Sequence, residues 1–321
     1  MTIPILCFGE ALIDFLNTGK QKNGELALNQ FTQFPGGAPA NAAVAIAKLG
    51  GAARFSGQVG SDTFGEFLVQ ALEQYGVDTR HTYHHTTAPT ALAFVFLDEQ
   101  GERSFLFHRD NSADMVMEPS QVEDNWFTEQ PILHFCSNTL THPGITETTR
   151  TVLQRARARN CLISFDVNLR HNLWPSGSAD RDLINQFVMQ SQLVKFSVDE
   201  LQYLSNGDND VYLRRCIENG VRAIVVTDGG NPINLYAEGV HRVIQAPNTN
   251  VVDTTGGGDA FIGAVLFGLS RSDRSAIGKI DHLSALVAFA SHCGSIAVSR
   301  PGAFPAFPSF DEVEAFYCGL H

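Results

Sequence analysis

The sequence has no hydrophobic run that approaches the roughly 18 residues needed by a membrane-spanning helix. Basic residues are also scarce, because 22 Lys and Arg stand against 34 Asp and Glu, which gives a net charge of −12. A protein that coats duplex nucleic acid needs a basic surface, so this class is excluded. The segment 1–6 lacks the basic stretch and the cleavage site of a secretory signal. We therefore expect a cytoplasmic protein that binds neither membranes nor nucleic acid.

Paired cysteines are absent as well. The six cysteines are widely spaced and form no C-x-x-C motif, which argues against a zinc ribbon or a disulfide framework and predicts buried free thiols. His81, His84 and His85 suggest a metal cluster, but no cysteine or carboxylate has the spacing to complete it. An exposed segment is the favoured interpretation of these histidines.

The later part of the chain alternates short apolar runs with helical stretches, which predicts an α/β architecture with a parallel sheet. Its predicted strands are 132–136, 161–166, 193–196 and 223–227. Strand-like segments at about 12–35 and 88–112 do not fit this alternation, and the second contains a predicted hairpin with a turn at 98–101. Because no linker or repeat is visible, we expect a single domain over 1–321 that carries a small β excursion.

A glycine-rich segment at 250–261, N-V-V-D-T-T-G-G-G-D-A-F, has the strongest local pattern. Three consecutive glycines allow a tight turn whose backbone N–H groups form an anion site at a helix N-terminus. Asp259 falls in the first helical turn, where a carboxylate would repel a resting anion. It suits a general base that deprotonates a hydroxyl as the hydroxyl attacks a bound phosphoryl group. A plain glycine-rich turn with an aspartate favoured by the helix dipole fits equally well.

A second glycine cluster at 36–41, G-G-A-P-A-N, lets a ligand approach the backbone closely. Asn41 projects from the first turn of an alanine-rich helix and offers both a donor and an acceptor to a vicinal diol. A loop followed by a helix start is the alternative interpretation. The short apolar run at 5–9 predicts a buried strand. Asp14 lies just beyond this strand, where a carboxylate can bind sugar hydroxyls, although a lone aspartate is more often a solvated surface residue.

Together these motifs resemble the PfkB-type, ribokinase-like carbohydrate kinases. The segment 253–259, D-T-T-G-G-G-D, is similar to the family's C-terminal pattern D-T-x-G-A-G-D, with Gly257 where the family usually has alanine. The glycine cluster at 36–41 matches the N-terminal pattern, and the similarity covers essentially the whole chain. The resemblance implies a three-layer α/β/α core with a mostly parallel sheet, and a small β-sheet lid formed by the two strand-like segments described above.

The resemblance also implies roles for individual residues. Asp259 would be the catalytic base. The transferring phosphoryl group would be held by the backbone amides of Gly256, Gly257 and Gly258. The residues expected to bind the sugar are Asp14, Gly36, Gly37, Asn41, Arg109 and Arg170.

Nucleotide and metal sites are implied in the same way. The segment 197–200, S-V-D-E, resembles the family's N-x-x-E motif, with serine in place of asparagine and Glu200 as an indirect Mg²⁺ ligand. The segment 227–230, T-D-G-G, resembles its nucleotide-binding turn. The residues expected to bind ATP are Lys195, Ser197, Thr227, Gly229, Gly256 and Gly258. The residues expected to enclose a monovalent cation are Asp253, Thr255, Ala297, Arg300, Gly302 and Ala306.

The segment 103–114, R-S-F-L-F-H-R-D-N-S-A-D, resembles the fructokinase pattern R-x-F-x-F-Y-R…S-A-D, with His108 at the tyrosine position. The resemblance implies an ATP-dependent kinase that converts D-fructose to fructose 6-phosphate, with Mg²⁺ and K⁺ as cofactors, and that forms a homodimer through the lid. Kinases of the same fold for an aminoimidazole riboside, 2-keto-3-deoxygluconate or ribose are alternatives. A non-catalytic sugar-sensing regulator is the alternative from another class, and ATP consumption would exclude it.

Overall fold

Two β-sheets of different size form the framework of the chain. The computed structural model describes residues 2–97 and 103–318. The strands are β1 (Ile5–Phe8), β2 (Leu12–Asn23), β3 (Leu26–Gly36), β4 (Ala53–Gly60), β5 (Asp78–His85), β6 (Leu92–Leu97), β7 (Arg103–His108), β8 (Ile132–Cys136), β9 (Leu162–Asp166), β10 (Leu193–Ser197), β11 (Ala223–Thr227), β12 (Ile233–Ala237) and β13 (Val240–Ile244). The helices are α1 (Ala38–Lys48), α2 (Thr63–Gln74), α3 (Pro143–Ala158), α4 (Arg181–Val188), α5 (Val198–Leu204), α6 (Asn209–Glu218), α7 (Gly257–Ser270), α8 (Ile280–Val298) and α9 (Phe310–Cys318).

The larger sheet has nine strands in the order β13-β12-β11-β10-β9-β8-β1-β4-β5. From β11 to β5 in this order, all neighbouring strands pair in parallel. Strands β12 and β13 add an antiparallel hairpin at the edge that lies opposite β5. The central strands are short and apolar because helices cover both of their faces. This mostly parallel sheet is the one that the strand–helix alternation predicts.

Side chains of each strand point alternately to the two faces of the sheet. In β1, Ile5 and Cys7 pack with residues of α1, α7 and α8, whereas Leu6 and Phe8 pack with residues of α3 and α4 on the other side. The hydrophobic core is therefore split into two layers by the sheet. The result is a three-layer α/β/α arrangement.

The smaller sheet consists of the strands that did not fit the alternation, in the order β3-β2-β6-β7. Strands β2 and β3 form a long hairpin, and β6 pairs in parallel only with the first part of β2, from Ile13 to Leu16. Strands β6 and β7 pair antiparallel, while the turn predicted at 98–101 lies outside the described residues. We call this four-stranded sheet the lid, because it lies over the pocket described below.

Helices α1 and α7 cross at small residues. A Cβ atom on Gly263 would lie 2.8 Å from the Cβ of Ala45, so glycine is needed for this close approach. Asn41 lies one turn before Ala45 in α1, and Asp259 lies one turn before Gly263 in α7. The close crossing therefore brings these two polar side chains together at the carboxyl end of the sheet.

Several elements differ from the sequence predictions. The histidine segment forms the edge strand β5, in which His84 is exposed as predicted, whereas His81 is buried with its ring centroid 5.5 Å from that of Trp126. Helix α1 begins at Ala38, because Pro39 fits the first helical turn, and Asn41 therefore lies in the first turn as predicted. Helix α9 has no counterpart in the prediction. Five of the six cysteines are buried free thiols, as predicted, whereas Cys318 is exposed.

No helix within 2–97 and 103–318 has the length and apolar character needed to cross a membrane. In the same ranges, no group of three or more His, Cys, Asp and Glu side chains is placed to hold a metal ion.

Candidate active site

A pocket of about 600 Å³ lies between the lid and the larger sheet. The lid contributes the face of β2 and β3 that carries Asp14 and Phe34, and the core contributes the starts of α1 and α7. The pocket thus lies beyond the carboxyl ends of the parallel strands, which is where open α/β sheets bind ligands.

The glycine-rich turn begins α7. Gly256 has a φ of 72° in the left-handed region, and a Cβ atom there would lie 2.8 Å from the ring of Phe307. A Cβ atom on Gly257 would lie 2.5 Å from Val298 Cγ1. Only glycine fits such a turn, and no side chain of the described residues caps the helix. Its first amides are therefore suited to hold an anion.

Asp259 lies in the first turn of α7 and lines the pocket. Its Oδ2 accepts a hydrogen bond of 2.8 Å from Asn41 Nδ2. Burial raises the pKa of the Asp259 carboxyl to about 7, and the negative charge of Asp166 acts in the same direction, whereas the Asn41 hydrogen bond opposes the shift. A carboxyl with this pKa exchanges protons near neutral pH, as a general base requires.

A buried ion pair lies behind the glycine turn. Lys195 Nζ donates to both carboxylate oxygens of Asp166 at 2.9 Å, and both side chains are almost fully buried. Burial lowers the pKa of Lys195, but the charges of Asp166 and Glu200 outweigh it and the net shift is upward. A Cβ atom on Gly258 would lie 3.5 Å from Lys195 Nζ. The ammonium group therefore stays charged beside the predicted anion site.

Several residues predicted to bind the sugar lie near the junction between the lid strand β3 and helix α1. A Cβ atom on Gly36 would lie 2.1 Å from Asp14 Oδ2, so the absence of a side chain makes room for this carboxylate. Gly37 has a φ of 101°, and a Cβ atom there would lie 2.5 Å from the carbonyl oxygen of Glu10. Asp14, Gly37 and Asn41 line the pocket, whereas Gly36 lies behind Asp14.

The two predicted arginines differ in their surroundings. Arg109 is 5% exposed, lines the pocket and pairs with Asp114 at 2.7 Å. Arg170 is exposed and lines the pocket, and its positive charge lowers the pKa of Asp259. Both arginines therefore line the same cavity, one buried and one exposed.

The residues predicted to bind ATP are divided between two places: Gly256 lines this pocket and Gly258 follows it in α7, whereas the others lie outside the pocket lining, in or just after β10 and β11. Ser197 pairs with Thr227 in the sheet register. Ser197 Oγ accepts from the amide of Glu200 at 3.2 Å, and Glu200 Oε2 accepts from the amide of Ser197 at 2.7 Å, which together form a capping box. Glu200 Oε1 also accepts from the amide of Leu169. Gly229 forms a left-handed turn after β11 with a φ of 52°.

The residues predicted to enclose a cation are only partly assembled around the pocket. Asp253 is buried, and its Oδ1 and Oδ2 accept from the amides of Thr255 at 2.7 Å and Gly302 at 2.9 Å. These three residues line the pocket. Ala297, Arg300 and Ala306 lie at the end of α8 and in the loop that follows, outside the pocket lining.

Three polar residues of the site were not predicted. Glu10 lines the pocket, is 2% exposed, and accepts from the amide of Ala38 at 3.2 Å and from Asn138 Nδ2 at 2.9 Å. Asp166 holds Lys195, and Asn138 joins Glu10 to the segment after β8. The rule that ligands bind beyond strand ends could have identified them, because each follows or ends a predicted strand.

Comparisons with known proteins place this geometry in context. The model described as "pfkB family carbohydrate kinase" matches residues 3–309. A probable fructokinase-7 of Arabidopsis thaliana is 38% identical over 317 residues, which cover 97% of this chain and 91% of that protein. A fructokinase from Xylella fastidiosa with bound ATP has a TM-score of 0.92 at 36% identity over 99% of each chain. A double mutant of a fructokinase from Vibrio cholerae O395, bound to fructose, ADP and potassium ion, has a TM-score of 0.88 at 30% identity, over 98% of this chain and 99% of that chain.

Proposed function

The chain belongs to the pfkB family of carbohydrate kinases, and on this basis we propose that it transfers the γ-phosphoryl group of ATP to D-fructose, which forms fructose 6-phosphate. Membership confirms the predicted ribokinase-like α/β fold with its smaller second sheet and the predicted class of enzyme, an ATP-dependent sugar phosphotransferase. The observation that carries the proposal is the position of Asp259, a carboxyl with a pKa of about 7, in the first turn of the glycine-started helix.

The chemistry needs a base and a site for phosphoryl charge. The Asp259 carboxylate takes the proton of the primary hydroxyl as its oxygen attacks the γ-phosphorus, and the bond to the departing ADP breaks. The amides of Gly256, Gly257 and Gly258 stabilise the negative charge on the phosphoryl oxygens. The ammonium of Lys195 lies beside this turn and adds to the same effect.

Two observations favour fructose over other sugars. The segment 103–114 carries the R…S-A-D pattern, and the structure pairs its Arg109 with its Asp114. The similar proteins reported above are named fructokinase, and one of them was solved with fructose bound. The sequence similarity to these proteins covers nearly the whole chain, which includes the pocket.

Magnesium is proposed to accompany ATP. When bound, the ion would neutralise phosphate charge and orient the phosphates. Both oxygens of Glu200 accept backbone hydrogen bonds, from Ser197 and Leu169. Glu200 would therefore hold the loop after β9 in place and act on a bound magnesium ion indirectly.

Potassium is proposed as a second cofactor. The donor set of Asp253, Thr255 and backbone carbonyls near Gly302 consists of oxygen atoms, which hard cations prefer. The Asp253 carboxylate is buried and joins the glycine-rich segment to the loop after α8. A cation there would fix the turn that starts α7 by electrostatic attraction.

We propose that the lid excludes water from the pocket, which limits transfer of the phosphoryl group to water instead of sugar. We further propose a homodimer formed through the lid, because its hairpin extends beyond β6 and carries exposed leucines.

A cytoplasmic location is proposed because ATP is the co-substrate and the described cysteines are free thiols.

A sugar panel tests the proposed function. Purified protein is incubated with ATP, Mg²⁺ and K⁺ and with fructose, ribose, 2-keto-3-deoxygluconate or an aminoimidazole riboside, and ADP release is measured by a coupled assay. We expect the highest kcat/KM with fructose and a product that is fructose 6-phosphate by NMR. Higher kcat/KM with another compound would overturn the choice of fructose. No sugar-dependent ADP release with any compound would support the non-catalytic regulator.

A further inference from the structure

A buried arginine forms part of the pocket wall. Arg109 directly follows β7 and is 5% exposed. Its Nε donates to Asp114 Oδ2 at 2.7 Å. Its Nη2 donates to the carbonyl oxygen of Asn138 at 3.0 Å, and its Nη1 donates to Thr141 Oγ1 at 3.4 Å. Bonds to the described residues thus use three of the five guanidinium N–H donors, which leaves two for a sugar in the pocket.

Two buried carboxylates compensate the charge of this arginine. Asp114 is 4% exposed, and Ser112 Oγ donates to its Oδ1 at 2.5 Å, so the carboxylate is held in place from both sides. Glu10 is 2% exposed and lines the pocket. Burial lowers the pKa of Arg109, but the charges of Asp114 and Glu10 outweigh it, so the ion pair is retained.

The charged residues around the pocket are unequal in sign. Four acidic and two basic side chains belong to the described lining. They are Glu10, Asp14, Asp253, Asp259, Arg109 and Arg170. Asp114 adds a further carboxylate directly behind Arg109. A negatively charged sugar would lose its hydration in this pocket without gaining a net positive charge, which is unfavourable at low dielectric.

We propose that Asp114 is a specificity-determining residue that restricts this kinase to uncharged sugars. By neutralising Arg109, Asp114 leaves a guanidinium group that donates hydrogen bonds to hydroxyl oxygens but offers no net charge to a carboxylate or phosphate. The inference rests on the proposed sugar kinase function and deepens it, because it defines the substrate class as neutral sugars. Sugar acids and sugar phosphates are excluded.

A matched pair of sugars tests this inference. 2-Keto-D-gluconate is fructose with the carbon-1 hydroxymethyl group oxidised to a carboxylate, and it keeps the carbon-6 hydroxyl that we propose as the phosphoryl acceptor. For the unmodified enzyme we expect kcat/KM to be at least about 100-fold lower for 2-keto-D-gluconate than for fructose. In Asp114→Asn, the ratio of the two kcat/KM values should shift toward the acid by at least about tenfold.

Two further variants make the result specific. Asp110→Asn removes an exposed carboxylate from the same segment and should leave the ratio unchanged. Glu10→Gln removes the second compensating charge and should shift the ratio in the same direction as Asp114→Asn. If circular dichroism shows that Asp114→Asn is unfolded, the Glu10→Gln ratio decides the question.

The outcomes separate this inference from the proposed function. Fructose turnover with an unchanged ratio in the folded variants would overturn the inference and leave the kinase intact. Comparable turnover of the two sugars by the unmodified enzyme would do the same. Absence of ADP release with either sugar would instead overturn the proposed function. A shift in Asp114→Asn that Asp110→Asn lacks would establish the role of the buried pair.

Discussion

Asp259 combines a functional benefit with a cost in stability. Its pKa in the folded protein is raised by burial to about 7, above the value of 3.8 that is usual for an aspartate in water. The folded state therefore favours the protonated form, and the free energy of unfolding decreases as the pH rises through this range. At pH 8 the folded protein contains a buried, charged carboxylate, which lowers its stability relative to a protein with an uncharged residue at this position. Such a cost in stability is expected where a base must work near neutral pH.

Replacing this base should separate catalysis from stability. In Asp259→Asn we expect kcat to fall by about 10²- to 10⁴-fold, because the proton of the attacking hydroxyl has no acceptor. Fructose affinity, measured by isothermal titration calorimetry, should change little. The melting temperature at pH 8 should rise, because the buried charge is gone. The control is Asp281→Asn, which makes the same substitution in the first turn of another helix, α8, at an exposed position outside the pocket. Near-normal turnover in Asp259→Asn would refute the assignment of the base.

Asn41 should set the pH range in which Asp259 is active. Its hydrogen bond to the carboxylate lowers the pKa of Asp259, so Asn41→Ala should raise it. The acidic limb of the kcat–pH profile should then move upward by up to about one unit, since a hydrogen bond to a charged group contributes that order of free energy. Activity would therefore fall more at pH 6.5 than at pH 8.5.

The exposed Gln74 supplies a matched control for this pH profile. Gln74→Ala, at the end of α2, also removes a side-chain amide but lies away from the pocket, and its profile should match that of the unmodified enzyme. An acidic limb that stays at the same pH in Asn41→Ala would contradict the role of this hydrogen bond.

At the scale of single residues, the sequence motifs identified the predicted base and anion site but not the polar residues that surround them. The glycine turn and Asp259 are contiguous in the chain, so their relation is visible in the sequence. Glu10, Asn138 and Asp166 belong to no motif, because their roles depend on which strand ends lie side by side. Only the sheet register determines that Lys195 meets Asp166.

The same distinction applies to secondary structure elements. The strands of the larger sheet are apolar runs with clear ends, so most were predictable. Strand β5 was not, because an edge strand needs few apolar residues and this one carries three histidines. The crossing of α1 with α7 is also invisible in the sequence, since alanine and glycine indicate a close approach only when the two helices are known to meet.

The junction between β3 and α1 should control sugar affinity. In Gly36→Ala, the new Cβ atom would occupy the place of Asp14 Oδ2, which lies 2.1 Å from that position. Because Asp14 can move its carboxylate, we expect the fold to remain stable while the KM for fructose rises at least about tenfold. Steady-state kinetics and thermal melting measure the two effects.

Gly24→Ala is the control for this substitution. Gly24 lies in the same hairpin between β2 and β3, and a Cβ atom there would meet nothing within 4 Å. Its positive φ of 61° makes the substitution slightly unfavourable for stability, but the KM should not change. An unaltered KM in Gly36→Ala would exclude Asp14 as a residue whose position matters for sugar binding.

At the level of the whole molecule, the lid extends further than one pocket requires. Strand β6 pairs with β2 from Ile13 to Leu16, and no other strand of residues 2–97 and 103–318 lies beside the rest of the β2–β3 hairpin. Leu26 and Leu28 near its tip are 65% and 44% exposed. Side chains at every second residue of a strand lie on the same face, so Leu26 and Leu28 lie on the face of β3 that carries Phe34, a residue of the pocket lining. An isolated two-stranded extension with exposed leucines is marginally stable in water, so a second copy of the chain is the proposed support.

Disrupting this face should dissociate the proposed dimer. In the double variant Leu26→Glu and Leu28→Glu, two acidic groups would face their counterparts across the interface in a chain that already carries a charge of −12. Light scattering coupled to size-exclusion chromatography should show a dimer for the unmodified protein and a monomer for the variant. Val243→Glu on β13 is the control, because Val243 is 53% exposed at the far edge of the larger sheet. A monomeric unmodified protein, or a variant that stays dimeric, would rule out this interface.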